Sequence, residues 1–254
     1  MSYPVATVVS SIEKTSLSEV PTAEVEKVPI AEVVFLSNSG FSEKRALKGT
    51  ETMLLLDTTG SMDWPCKEGH PILRKQLARE ALLMAVEQLT DLDTAGADEE
   101  DGGGVMVTTF AGGHAKVLGD VNPKNFKEMW AKIHFGGATE IVPGWNTMLL
   151  NYIDEFAEKD ASKQPLKLVT LITDGEADDL KEFMEILKKD KDAYVCVILI
   201  GCQYGDQNHQ TAIDQFTALA ETNHRVVFRN FSNCVDPQLL ANEIMLVCNQ
   251  AAVA

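Results

Sequence analysis

Three short stretches of this chain are near-continuous apolar runs: "TMLLLD" (52–57), "LKLVTLIT" (166–173) and "AYVCVILIG" (193–201). A strand with one wet face alternates apolar and polar residues, whereas one covered on both faces does not. "VMVTTFA" (105–111) and "RVVFRNF" (225–231) add two further strands, and "AKVLG" (115–119) reads as an edge strand. Helical patterns lie between them. Residues 73–89 place Leu73, Leu77, Ala81, Met84 and Ala85 at helical spacing beside Leu82, Val86 and Leu89. A second helix is predicted from near Pro123 to about Ile133. A third starts near Val142 and carries Trp145, Met148, Leu149, Tyr152, Ile153 and Phe156. Residues 178–190, 207–222 and 237–250 complete the set. Strands buried on both faces and separated by helices predict an α/β fold: a doubly wound, mainly parallel sheet flanked by helices. Sites in such folds lie beyond the carboxyl ends of the strands. Asp57 and Asp174 both fall there.

A chain of 254 residues with 45% hydrophobic content has enough material for one large core. Its net charge of −16 repels phosphate backbones, so no nucleic-acid partner is expected. No run approaches the roughly 18 apolar residues of a membrane span, so no membrane insertion is expected. The N-terminal "MSYPVATVVSSIEK" lacks the basic start and long apolar run of a secretory signal. Five cysteines without a C-x-x-C pair suit free thiols in a reducing compartment, which points to a cytoplasmic location. Residues 1–48 differ in character: "PVATV", "PTAEV" and "PIAEV" recur without a helical stripe. They predict an extended or flexible N-terminal arm ahead of a domain at 49–254, with "AEVVFLS" (31–37) able to dock as an edge strand.

Three loops carry the candidate chemistry. Asp57-Thr58-Thr59-Gly60-Ser61 follows the first strand directly, "GGATE" (136–140) joins two helices, and "TDGEADD" follows the 166–173 strand. In an extended loop alternate residues point the same way, so Asp57, Thr59 and Ser61 are expected to aim three oxygens at one point. Two carboxylates plus hydroxyls form a hard, all-oxygen set suited to Mg²⁺, Mn²⁺ or Ca²⁺ rather than zinc. Trp64, directly after the first loop, suits either a contact anchor or loop packing. His134 and His209 show no partner in the sequence.

The D-x-T-G-S-M pattern after an apolar strand, the Gly-Gly-x-Thr loop and the strand ending in T-D-G together resemble the von Willebrand factor type A domain and its metal-ion-dependent adhesion site. The resemblance spans about residues 50 to 250 and implies a Rossmann-like sheet. It also implies a divalent cation, most simply Mg²⁺, held by Asp57, Thr59, Ser61, Thr139 and Asp174. That ion would bridge to an Asp or Glu of a protein partner, in a non-enzymatic binding module. The family also suggests a last helix that slides on site occupancy, here with a stripe of Leu239, Leu240, Ile244, Leu246 and Val247. The alternative is a haloacid dehalogenase-like, Mg²⁺-dependent phosphohydrolase with Asp57 as nucleophile. That class normally places a second Asp two residues on, where this chain has Thr59.

Overall fold

The computed structural model describes residues 50–93, 104–160, 164–175, 177–201 and 207–253. The arm at 1–48 and the strand expected at 31–37 lie outside them. The strands are β1 (Thr50–Asp57), β2 (Val105–Ala111), β3 (His114–Val121), β4 (Leu166–Thr173), β5 (Ala193–Ile200) and β6 (Val226–Phe231). The helices are α1 (Arg74–Asp93), α2 (Phe126–Ala131), α3 (Ile141–Glu155), α4 (Leu180–Lys189), α5 (Gln207–Thr222) and α6 (Pro237–Val253).

The sheet order is β3-β2-β1-β4-β5-β6. Every pairing is parallel except the β2–β3 hairpin at one edge. The winding reverses between β1 and β4, so the loops leaving those strands diverge and open a crevice at the carboxyl edge. The apolar runs of β1 follow from its central place. Leu54 and Leu56 join the core under α1, α2 and α6, whereas Met53 and Leu55 join the core under α3, α4 and α5. All eight residues of β4 and of β5 are buried, as strands covered on both faces require.

The boundaries departed from expectation at a few places, each for a local reason. The second helix is shorter than 123–133, because Asn122 and Asn125 exchange side-chain-to-backbone hydrogen bonds and hold the Pro123 segment in a turn. Of the apolar residues read on the third helix, Ile153 is exposed, whereas Trp145, Met148, Tyr152 and Phe156 are buried. The stripe expected on α6 splits likewise. Leu240, Ala241, Ile244 and Met245 are buried, while Leu239 and Leu246 face outward. Among the described residues no helix is long and apolar enough to cross a membrane.

Candidate metal centre

Asp57 ends β1, in register with Phe110 of β2, and is fully buried. Its Oδ1 accepts the Thr59 backbone N–H at 2.8 Å and its Oδ2 accepts the Thr173 hydroxyl at 2.7 Å. Thr58 fixes the exit of the strand: its N–H and its hydroxyl both donate to Phe110 O, at 3.0 and 3.1 Å. Thr59 is extended (φ −68°, ψ 168°), but Gly60–Asp63 then forms a 3₁₀ turn. The expected side-chain alternation in an extended loop is therefore replaced by a tight turn. The hydroxyls still converge, with Thr59 Oγ1 and Ser61 Oγ 3.1 Å apart. Ser61 in turn donates to Asp174 Oδ1 at 2.9 Å. Asp174, directly after β4, is only 3% exposed.

Thr139 enters through its loop. Gly136 N–H donates to Thr58 O at 2.9 Å, Gly112 N–H to Ala138 O at 2.8 Å, and Asp178 N–H to Thr139 O at 2.9 Å. The half-buried Thr139 is thus pinned between the first and third loops. Gly137 makes this approach feasible: its φ is +86°, and a Cβ there would lie 2.9 Å from Gly112 Cα. The third loop returns a second tie that the sequence did not suggest. The Asp179 carboxylate accepts the N–H groups of Ile141 and Val142, at 2.9 and 2.7 Å, and so satisfies the N-terminus of α3.

The electrostatics are uneven. Burial, and next the charge of Asp174, push the Asp57 carboxyl up to about 7, against the opposing pull of its bonds from Thr59 and Thr173. Asp174 instead has a cation of its own. Arg74, the first residue of α1, places Nη1 2.8 Å from Asp174 Oδ2, with both side chains almost wholly buried. The half-exposed Trp64 covers the guanidinium, whose Cζ lies 5.5 Å from the ring centroid. Trp64 therefore packs its own loop while keeping an open face. The Arg74 arm lies on the backbone of Gly201 (φ +73°), just past β5, where any Cβ would overlap Arg74 Nε and Cδ. Sequence reasoning missed Arg74. The available signal was a cation in the first turn of a helix, where the macrodipole disfavours it unless an anion is near.

A groove of about 430 Å³ opens beside Thr58 and Gly136. His114, Lys116, Lys132 and His134 line it, and no acidic residue does. His209 is buried elsewhere on the same edge, with Nε2 2.6 Å from the Ser232 hydroxyl, which sits 2.5 Å from Asn230 Oδ1. Its partner lies 23 residues away, beyond the reach of a sequence pattern.

Among the described residues no cluster of three or more His, Cys, Asp or Glu stands ready for a metal ion. What Asp57, Thr59, Ser61 and Asp174 offer is an all-oxygen set of two carboxylates and two hydroxyls, the chemistry of Mg²⁺, Mn²⁺ or Ca²⁺. A buried carboxylate at Asp57 whose pKa is raised by burial and next by the charge of Asp174 is a place where a cation fits.

No protein-family model matches the sequence, and no curated protein matches it. Solved structures do match. A von Willebrand factor type A protein from Catenulispora acidiphila is similar over 80% of this chain and 43% of its own, at 17% identity and a TM-score of 0.50. The minor pilin PilB from Streptococcus sanguinis is similar over 79% of this chain and 61% of its own, at 12% identity and a TM-score of 0.55. The pilus adhesin SpaC from Lactobacillus rhamnosus GG matches over 80% and 31%, at 14% identity and a TM-score of 0.51. The chain thus spans less than two thirds of each of these proteins. The order of the strands, the switch point between β1 and β4 and these likenesses give one result: the described chain has the fold of a von Willebrand factor type A domain.

Proposed function

We propose that the carboxyl edge of this sheet binds a divalent cation, Mg²⁺ or Mn²⁺ first, through Asp57, Thr59, Ser61, Thr139 and Asp174, and that the ion captures an Asp or Glu of a protein partner. The observation that carries this reading is the convergence of Asp57, Thr59, Ser61 and Asp174 at the switch point, linked through hydrogen bonds of 2.8–3.1 Å. An anionic ligand also suits the groove beside Thr58, whose charged lining is entirely basic in a chain of net charge −16. The module is non-enzymatic on this reading. A nucleophilic role for Asp57 is poorly supported, because the residue is 0% exposed, both its oxygens accept hydrogen bonds, and Thr59 replaces a general acid. Residues 49–254 form the binding domain and 1–48 an appended arm. Cys66 and Cys234 are free thiols, which supports a reducing, cytoplasmic setting.

Thermal unfolding with and without Mg²⁺ or Mn²⁺ tests the reading, since an ion that binds only the folded state raises its stability. The midpoint should rise with either ion, and Asp57→Ala and Asp174→Ala should fold but lose the rise. Capture of partners from solution should fail with chelator and weaken with Thr139→Ala. An equal midpoint rise in both aspartate variants would remove them from the site.

A further inference from the structure

We propose that Arg74 is a fixed internal cation that holds divalent-ion affinity down in the free protein and makes it depend on an anionic ligand supplied from outside. This rests on the metal-binding reading above and goes beyond it, because it assigns the source of the coupling between ion and partner.

The reasoning begins with the charge at the site. Asp57 and Asp174 alone would neutralise a divalent ion, and the loaded site would then have little electrostatic demand for a third anion. Arg74 changes that. Its guanidinium sits 2.8 Å from Asp174 Oδ2, and its charge is permanent in a protein. With Arg74 in place, two carboxylates, one guanidinium and one divalent ion leave a net charge of about +1 in a water-poor crevice. One further carboxylate cancels it. Ion and carboxylate therefore raise each other's affinity, by the reciprocity that binds any two linked ligands.

The geometry keeps the cation from leaving. Arg74 is 2% exposed and the Trp64 ring covers it. Its arm fills the space that Gly201 keeps clear. Its backbone N–H donates to Trp64 O at 3.0 Å, which anchors the start of α1 to the loop that carries the tryptophan. Arg74 also occupies Asp174 Oδ2 while Ser61 occupies Oδ1, so an incoming ion must share that carboxylate rather than take it over. Arg74 thus acts as a positioning and affinity-setting residue beside the ion, not as a ligand.

The probe is Mn²⁺, followed by the loss of its free-ion magnetic resonance signal on binding. The full chain is titrated in chloride and again in acetate at equal ionic strength, as wild type, Arg74→Met and Arg74→Lys. In chloride, Arg74→Met should bind Mn²⁺ about tenfold or more tighter than wild type, as loss of a unit charge a few ångströms from the ion requires. Acetate should tighten wild-type binding severalfold more than it tightens Arg74→Met, and Arg74→Lys should stay close to wild type. Equal Mn²⁺ affinity in wild type and Arg74→Met, or an Arg74→Lys that behaves like Arg74→Met, would overturn the role given to the charge while leaving the metal site standing. If Arg74→Met does not fold, wild-type affinity that is indifferent to acetate is enough to overturn it. Failure of all three proteins to bind Mn²⁺ in either salt would remove the metal site and this inference together.

Discussion

The loop after β1 and the loop after β4 each bury an aspartate at the same edge of the sheet, and the two aspartates live in different surroundings. Asp57 is met by neutral donors alone, a backbone N–H and the Thr173 hydroxyl, and its carboxyl is pushed up to about 7. Asp174 meets a neutral hydroxyl from Ser61 and the guanidinium of Arg74. A single helix start, the first residue of α1, makes the difference. Two carboxylates that look equivalent as strand-end aspartates in sequence are thus divided: one paired with a permanent cation, the other held near the point of losing its charge. The division teaches that the third partner of a strand-end acid pair decides how the pair behaves, more than the strands that present it.

The severest way to break the contrast is to displace the cation without touching either acid. Gly201→Ala should do so, because the added Cβ overlaps the Arg74 arm and the backbone there has φ +73°. A left-handed alanine costs about 1–2 kcal/mol and a disrupted buried ion pair about 3–5 kcal/mol. Urea unfolding should show a loss of roughly 4 kcal/mol or more. A loss below about 1 kcal/mol would mean that the arm has room to move, and that Asp174 does not depend on this seat.

The acid without a cation should reveal itself through pH. The Asp57 carboxyl is raised from an ordinary 3.8 to about 7 in the folded chain, so the folded state holds a proton that the unfolded state has already released. Its contribution to stability is complete below about 4 and is lost as pH rises towards 7. The loss should amount to roughly 2–4 kcal/mol between pH 4.5 and 7.5, measured without divalent ions and relative to the slope of Asp57→Asn. Saturating Mg²⁺ should flatten the slope, because the ion favours the ionised carboxylate. Parallel slopes for wild type and Asp57→Asn would show that Asp57 is not the group responsible.

Most of this fold was legible because the physics that sets it is local in sequence. Full burial of β4 and β5 needs apolar side chains on both faces, and that leaves unbroken runs. Two loops of the candidate site, those after β1 and β4, were legible for a similar reason, as each begins where such a run stops. The third was legible as a Gly-Gly pair between two helices. What the sequence hid depends on distant groups. Arg74 stands 100 residues from Asp174, and in "LRKQLARE" it reads as one more solvated charge on a helix. Gly201 reads as an ordinary strand end until the arm of Arg74 is seen to need its missing Cβ. Leu239 and Leu246 show the converse error. They share apolar character with Leu240 and Ile244, but α6 offers the sheet only one face, and composition cannot say where that face ends.

A smaller effect should come from the neutral donor on Asp57. Thr173→Val keeps the shape of a fully buried side chain and removes the hydroxyl that donates to Oδ2 at 2.7 Å. The expected loss is about 1–3 kcal/mol, the range for leaving a buried acceptor unpaired. The loss should grow with pH, because an ionised carboxylate needs the donor more than a protonated one does. A penalty that is the same at pH 5 and pH 8 would place the cost in packing and not in the charge of Asp57.

The smallest effect belongs to the aromatic cover on the cation. Trp64 lies over the Arg74 guanidinium with Cζ 5.5 Å from the ring centroid, yet 45% of the residue is exposed. A cation–π contact at so open a site is worth about 0.5–1 kcal/mol. Trp64→Ala should therefore lower stability by about that much, far less than Gly201→Ala, since the ion pair of Arg74 with Asp174 survives underneath. The consequence for charge is more informative than the loss itself. Without the ring, water reaches the guanidinium and screens it, so the asymmetry between the two aspartates shrinks. Mn²⁺ affinity in chloride should then rise slightly, in the direction of Arg74→Met but well short of it. A Trp64→Ala variant that loses several kcal/mol would identify the ring as a structural plug. One that weakens Mn²⁺ binding would show that the indole shapes the ion's site rather than the field of its neighbour.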